Sequence, residues 1–146
     1  IASLFSLHTF YWGVWHKEII GDSLGNTISP TRTALNKGLK ITIHTDAPVA
    51  LPNLMRMVGI SVDRKSRSGK VIGEHEKLTP YEALQSITSW SAYQHFEEDQ
   101  KGTLQEGKLA DMVILDKNPL KISPTEIKEI VVLETIKEGV SVYKKK

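Results

Sequence analysis

Asp46 is the side chain in this sequence best placed for acid–base or metal chemistry. It closes the run Ile41-Thr42-Ile43-His44-Thr45-Asp46, immediately before Ala47-Pro48. A carboxylate at the mouth of a barrel strand binds a metal ion and takes a proton from a polarised water. The competing reading is a capping or structural Asp before Pro48. His44 lies two residues earlier, on the same face of a strand and one layer deeper. It reads as a partner that orients Asp46, or as a satisfied core histidine. His8 ends the first apolar run of the chain, so it opens onto the same mouth or is structural. The aromatics Phe10, Tyr11, Trp12 and Trp15 follow it, with His16 among them. They read as a lid or pocket wall, or as a plug packed on a neighbouring domain.

These side chains do not complete a metal site. There is no His-x-His and no His-Glu-x-x-His, so most ligands of a metal-assisted reaction would lie outside the chain. Cysteine is absent, which excludes disulfides, thiolate zinc sites, iron–sulfur clusters and a Cys nucleophile. The basic run Arg64, Lys65, Arg67 and Lys70 has neither interleaved aromatics nor a phosphate loop beside it, and reads as a solvated loop. His75 and His95 have no partner pattern.

The elements that must hold Asp46 follow from alternation. Residues 1–8 read as a buried strand ending at His8, followed by a long aromatic connection over 9–28. Ser29-Pro30 opens a helix, with Ser29 as N-cap, and Gly38 closes it. Over 40–46, Ile41, Ile43 and Thr45 share one face and Thr42, His44 and Asp46 the other. An exposed antiparallel strand shows the same pattern, but the strand–helix–strand order suits a parallel sheet. In a closed barrel the Ile face would meet the outer helices and the Thr-His-Asp face would line the interior. A helix is expected over 52–62. Another starts at Thr79-Pro80-Tyr81-Glu82, a capping box, and runs to about Glu98 with Leu84, Ile87, Trp90 and Phe96 inward. Beyond it, 109–115 reads as a strand, Ser123-Pro124 as a short helix start, and 130–137 with 140–144 as a hairpin around Glu138-Gly139. The texture changes near residue 100, dividing the chain into an α/β part, 1–100, and a β-rich part, 101–146.

The bulk properties agree with a globular α/β class. The 146 residues are 40% apolar and 25% charged, with a net charge of +2, so no strong attraction to polyanions is built in. No apolar run approaches the roughly 20 residues of a membrane span. The chain opens Ile1-Ala2-Ser3-Leu4-Phe5, without Met or cap, as the middle of a strand does. A fragment of a longer chain is the expectation.

Several stretches resemble the C-terminal part of amidohydrolases of the YtcJ-like subgroup. They are Leu7-His8-Thr9-Phe10-Tyr11-Trp12-Gly13, Ile43-His44-Thr45-Asp46-Ala47-Pro48-Val49, and Lys101-Gly102-Thr103-Leu104 through Gly107-Lys108-Leu109-Ala110-Asp111. Glu134-Thr135-Ile136 and Gly139-Val140-Ser141-Val142-Tyr143 fit as well. The resemblance implies the C-terminal portion of a (β/α)8 barrel, with 1–8 as strand seven and 40–46 as strand eight, plus part of a small β-sandwich. It implies a divalent metal, zinc first, as one or two ions. Asp46 becomes metal ligand and general base and His8 sits near the substrate rather than on the metal; with Trp12 of the pocket wall and His44 of the strand face, His8 makes the expected substrate-binding set. The implied reaction is attack of activated water on a carbonyl-type carbon, breaking a C–N bond. A closed barrel takes about 250 residues, so the chain cannot form one alone. The implied partners are a small-molecule substrate and the rest of the barrel or a second copy, with neither nucleic acid nor membrane, in the cytoplasm. The alternative is a non-catalytic fragment, or a regulatory or binding homologue.

Overall fold

The computed structural model describes all 146 residues. Two short strands, β1 (Ala2–Leu4) and β2 (Ile41–Ile43), pair in parallel with Ala2 opposite Ile41 and Leu4 opposite Ile43. A parallel pair requires a crossover, which here is helical: α1 (Leu7–Gly25) and α2 (Thr31–Asn36). The expected alternation explains β2. Ile41 packs with Met55, Val58 and Val62 of the next helix, α3 (Leu54–Asp63), and Ile43 packs with Phe5, Leu7, Met57 and Ile60. The Ile face thus meets a helix. On the other side Thr42 donates its hydroxyl hydrogen to Gln94 Oε1 at 2.7 Å.

The first strand is shorter than the sequence pattern implies, and His8 does not end it. β1 stops at Leu4, Phe5 and Ser6 turn the chain, and His8 lies in the first turn of α1. Nor is 9–28 an irregular connection. Most of it is α1, broken at Gly21, where φ is +80°. This helix has no continuous apolar stripe, because only Leu7, Thr9, Gly13 and Gly25 are buried in it. Gly13 reads as a loop residue but is a packing requirement: a Cβ there would lie 2.7 Å from Ile72 Cγ1. Ser29 is not the cap of α2 either. Its φ is +51° and its hydroxyl donates to Phe5 O at 2.7 Å, while α2 starts at Thr31. Gly38, at φ +76°, follows the helix as expected.

α3 is capped by Asn53, whose side chain accepts from Arg56 N at 2.9 Å. The helix expected from Thr79 splits into α4 (Pro80–Gln85) and α5 (Ser89–Gln94). The capping box is present at Thr79 and Glu82. The split falls where hydroxyls compete for backbone: Ser86 donates to Ala83 O, Thr88 to Leu84 O and Ser91 to Ser86 O. Leu84, Ile87 and Trp90 pack on the core, but Phe96, at φ +59°, is 91% exposed rather than inward.

The C-terminal strands β3 (Met112–Leu115), β4 (Val132–Lys137) and β5 (Val140–Lys144) form an antiparallel sheet in that order. Glu138 and Gly139, at φ +50° and +80°, make the tight turn that a two-residue hairpin demands. Between β3 and β4 a short 3-10 helix, Pro124–Glu129, packs back on α3. Ile127 and Ile130 enter the same core as Ile41, and a Cβ on Gly59 would meet Lys128 N at 2.7 Å.

The solvated-loop reading fails for Arg64, which is fully buried. It ends α3 in the left-handed region at φ +55°, and its guanidinium donates to Ile72 O, Ser29 O and Ile28 O at 2.8, 3.0 and 2.7 Å. Burial pulls its pKa down to about 10, with Glu76 acting the other way. The equally buried Glu76 accepts from Thr33 N at 2.9 Å and from the Thr33 hydroxyl. Arg32 and Glu82 pair through two bonds of 2.8 and 2.5 Å. No helix is long and apolar enough to cross a membrane.

Candidate active site

The chain leaves β2 along a short path. His44 donates its backbone N–H to Leu4 O, continuing the parallel ladder by one residue. Asp46 then adopts φ +53°, a left-handed conformation that Asp tolerates better than most residues. Val49 N closes the turn by donating to Asp46 O at 2.7 Å. Asp46 is thereby lifted out of the strand. Its side chain is exposed and joins none of the ion pairs of the fold.

The turn after β1 brings α1 to the same place. Phe5 lies between the two histidines that follow the strands, with ring centroids 4.4 Å from His8 and 5.6 Å from His44. His8, Trp12 and His16 recur every four residues on α1 and so share one face. His8 is 5.7 Å from Trp12 and 5.6 Å from His16, between ring centroids. His16 Nδ1–H donates to Trp12 O at 2.9 Å, which leaves Nε2 as the acceptor of the neutral ring. His8 is half-buried, and burial first, then His16, hold its pKa below the ordinary 6.5; Asp46 opposes this and His44 adds to it. His8 is therefore mostly neutral at pH 7, available as a hydrogen-bond acceptor or a base.

Four of the residues singled out in the sequence thus gather at one end of the β1–β2 pair. His8 feels the charges of both Asp46 and His44, and Trp12 meets the His8 ring edge to face. Trp15, His16 and Val49 belong with them. His8, Trp12, Trp15, His16 and Val49 line an open cleft of about 580 Å³. The spacing 8, 12, 15, 16 is a helical face, but it is visible only once 9–28 is recognised as helix. A cleft of about 590 Å³ lies on the C-terminal sheet, with Asp111 and Lys137 as its titratable lining. Asp111 accepts from Glu138 N at 2.8 Å, so its carboxylate is engaged in the hairpin turn.

A catalytic zinc takes three protein ligands. Asp46 suits one oxygen position, but the chain holds no group of three or more His, Asp or Glu side chains arranged around an ion. These residues by themselves do not compose a metal centre.

Comparison with known proteins fits this geometry. A model of the amidohydrolase family matches residues 1–143. The chain is 28% identical over 134 residues to the putative amidohydrolase YtcJ of Bacillus subtilis, covering 90% of this chain and 25% of that protein. It is 27% identical over 116 residues to an N-substituted formamide deformylase of Arthrobacter pascens, covering 80% and 21%. The chain therefore spans about a quarter of the length of these relatives. Among solved structures, an amidohydrolase from Thermotoga maritima aligns with a TM-score of 0.58 at 21% identity, over 79% of this chain and 26% of that one. A Xaa-Pro dipeptidase with bound methionine aligns with a TM-score of 0.63 at 22% identity, over 99% and 34%. The family match across nearly the whole sequence decides the matter: this chain belongs to the amidohydrolase family and is YtcJ-like.

Proposed function

We propose that the protein carrying this chain is a metal-dependent hydrolase that breaks a C–N bond in a small amide-type molecule, and that Asp46 serves it as metal ligand and general base. The observation that carries the reading is the exposed, unpaired Asp46 carboxylate, set in a left-handed turn at the end of a parallel strand. The deformylase relative supports the bond type. In this reading residues 1–100 are the C-terminal part of the barrel, with β1 and β2 as its seventh and eighth strands, and 101–146 are part of the small β-sandwich. Residues 124–130 reach back into the α/β core.

The roles follow from the groups present. A divalent ion, zinc in the first instance, would supply Lewis-acid activation of water and of a carbonyl. Asp46 would hold such an ion through one carboxylate oxygen, and its carboxylate would be the base that takes a proton from water. That proton is then available to the departing nitrogen. His8, neutral and half-buried, accepts a hydrogen bond from the substrate N–H, Trp12 packs on the substrate, and His44, beside Phe5, supports the strand end from which Asp46 projects. The remaining ligands come from outside these 146 residues.

The test is metal removal. The complete protein, assayed on small N-substituted amides, loses turnover on exhaustive chelation and regains it on return of stoichiometric zinc, manganese or iron. Turnover that survives verified metal loss rules the reading out. A second reading, a homologue that acts by association without hydrolysis, is favoured by the apolar surface of the C-terminal sheet, where Val113, Val140 and Val142 are exposed. It requires the complete protein to be inactive with metal bound.

A further inference from the structure

We infer that the α1 face bearing His8, Trp12, Trp15 and His16, closed by Val49, is a specificity pocket for a neutral, planar aromatic substituent of the substrate. This rests on the function proposed above, and it assigns the chemical class of what binds.

The shape comes first. The cleft of about 580 Å³ lies within the range of small-molecule sites, about 300–1,000 Å³. Four of its five lining residues are flat rings. Trp12 is 36% and Trp15 55% exposed, so two indole faces stand uncovered beside the site. Exposed indoles gain by burial against another apolar or aromatic surface.

The rings are also pre-arranged. His8 and Trp12 meet at 75°, and Trp15 and His16 at 73° with centroids 5.2 Å apart. These are edge-to-face geometries, which hold each ring against its neighbour before a ligand arrives. Beneath them, the close approach of Gly13 to Ile72 seats α1 on the rest of the fold. A wall fixed in this way loses little freedom on binding.

The charge pattern narrows the class. No Lys or Arg lines the cleft, so a carboxylate or phosphate substituent would find no cationic partner on this wall. An aromatic group without negative charge fits. The pocket is also coupled to the reacting end, because the bond from Val49 N to Asp46 O makes one turn set both the carboxylate and the pocket's edge.

The experiment compares two acetamides, N-benzyl and N-methyl, on the complete metal-loaded protein. In Trp15→Ala the ratio of kcat/KM for benzyl over methyl falls about tenfold, and in Trp15→Phe most of it returns. A ratio unchanged in Trp15→Ala overturns the inference. If neither amide is cleaved, the proposed function fails for this substrate type, and calorimetry of N-benzylacetamide binding decides the inference separately. Binding weakened about tenfold by Trp15→Ala upholds the pocket without the chemistry. Binding that is absent, or indifferent to Trp15, shows that another part of the protein covers the indoles, and overturns it.

Discussion

Two clusters of titratable side chains occupy the same α/β layer, and the fold treats them in opposite ways. Around Arg64 and Glu76 the charged groups are partnered. The Arg64 guanidinium spends its hydrogens on three backbone carbonyls, Glu76 accepts from the Thr33 amide and hydroxyl, and Arg32 grips Glu82 with two bonds. Around Asp46 the carboxylate is unpaired, His16 bonds only to its own helix, and His8 is held neutral. Burial explains the difference. A buried ion without partners costs several kcal/mol, so a buried cluster persists only if its bonds are made. An open mouth carries no such penalty, and its free lone pairs stay available to a ligand. On the function proposed above the first cluster serves stability and the second serves chemistry, so substitutions in the two should damage different properties.

The sharpest separation comes from Asp46→Asn in the complete protein. Loss of a general base removes about 10³-fold in kcat/KM, equivalent to about 4 kcal/mol of barrier. An exposed, unpaired side chain contributes little to folding, so the denaturation midpoint should hold within about 0.5 kcal/mol. Near-normal kinetics would move the base elsewhere. A large loss of stability would place Asp46 in the structural class.

Arg64→Met is the converse. Met fits the apolar part of the side chain and tolerates the left-handed backbone no worse than Arg, so the change isolates the guanidinium. Three carbonyls lose the guanidinium bond, although Ser29 O keeps the one from Thr31 N at 2.8 Å. The expected cost is about 3 kcal/mol by urea denaturation. Turnover per folded molecule should survive. Loss of turnover at full stability would show that Arg64, through Ser29 and its bond to Phe5 O, also sets the mouth.

The two clusters were not equally legible in the sequence. The strand beneath Asp46 declared itself through the alternation of Ile41 and Ile43 with Thr42, and its parallel pairing followed from the helix between the strands. The Thr79–Glu82 box and the Glu138-Gly139 turn have local chemistry, and local chemistry survives without knowledge of the fold. α1 was opaque for the opposite reason. Its exposed rings destroy the apolar stripe, and Gly13 imitates a loop while serving a contact with Ile72, a residue 59 positions away. Without that helix, the gathering of His8, Trp12, Trp15 and His16 cannot be seen. Arg64 was hidden by its neighbours: Lys65, Arg67 and Lys70 make a solvated pattern, and only the chain path past Ile28, Ser29 and Ile72 shows why the first member turns inward.

The smallest expected effect belongs to the least buried member of the stabilising cluster. Arg32 holds Glu82 well below the usual carboxylate range, at about 2 against 4.5, with the Thr79 amide and hydroxyl adding to the shift and burial opposing it. Because the folded pKa is the lower one, the unfolded chain takes up the proton first as pH falls. The stabilisation is therefore complete above about pH 4.5 and disappears between there and about pH 2. Glu82→Gln removes the charge but keeps a carbonyl for the Thr79 bonds, which span 2.8 Å each to Oε2. Solvent reaches both partners, at 26% and 23% exposure, so screening limits the loss to about 2 kcal/mol at pH 7. The difference between native and variant should then shrink to nothing by about pH 2, with kcat/KM at pH 7 unaltered. A gap that persists undiminished in acid would mean that Glu82 acts by packing and capping alone. The contrast between a saturated cluster and an open one would then have to rest on Arg64 and Glu76, where burial is complete and no solvent shares the charge.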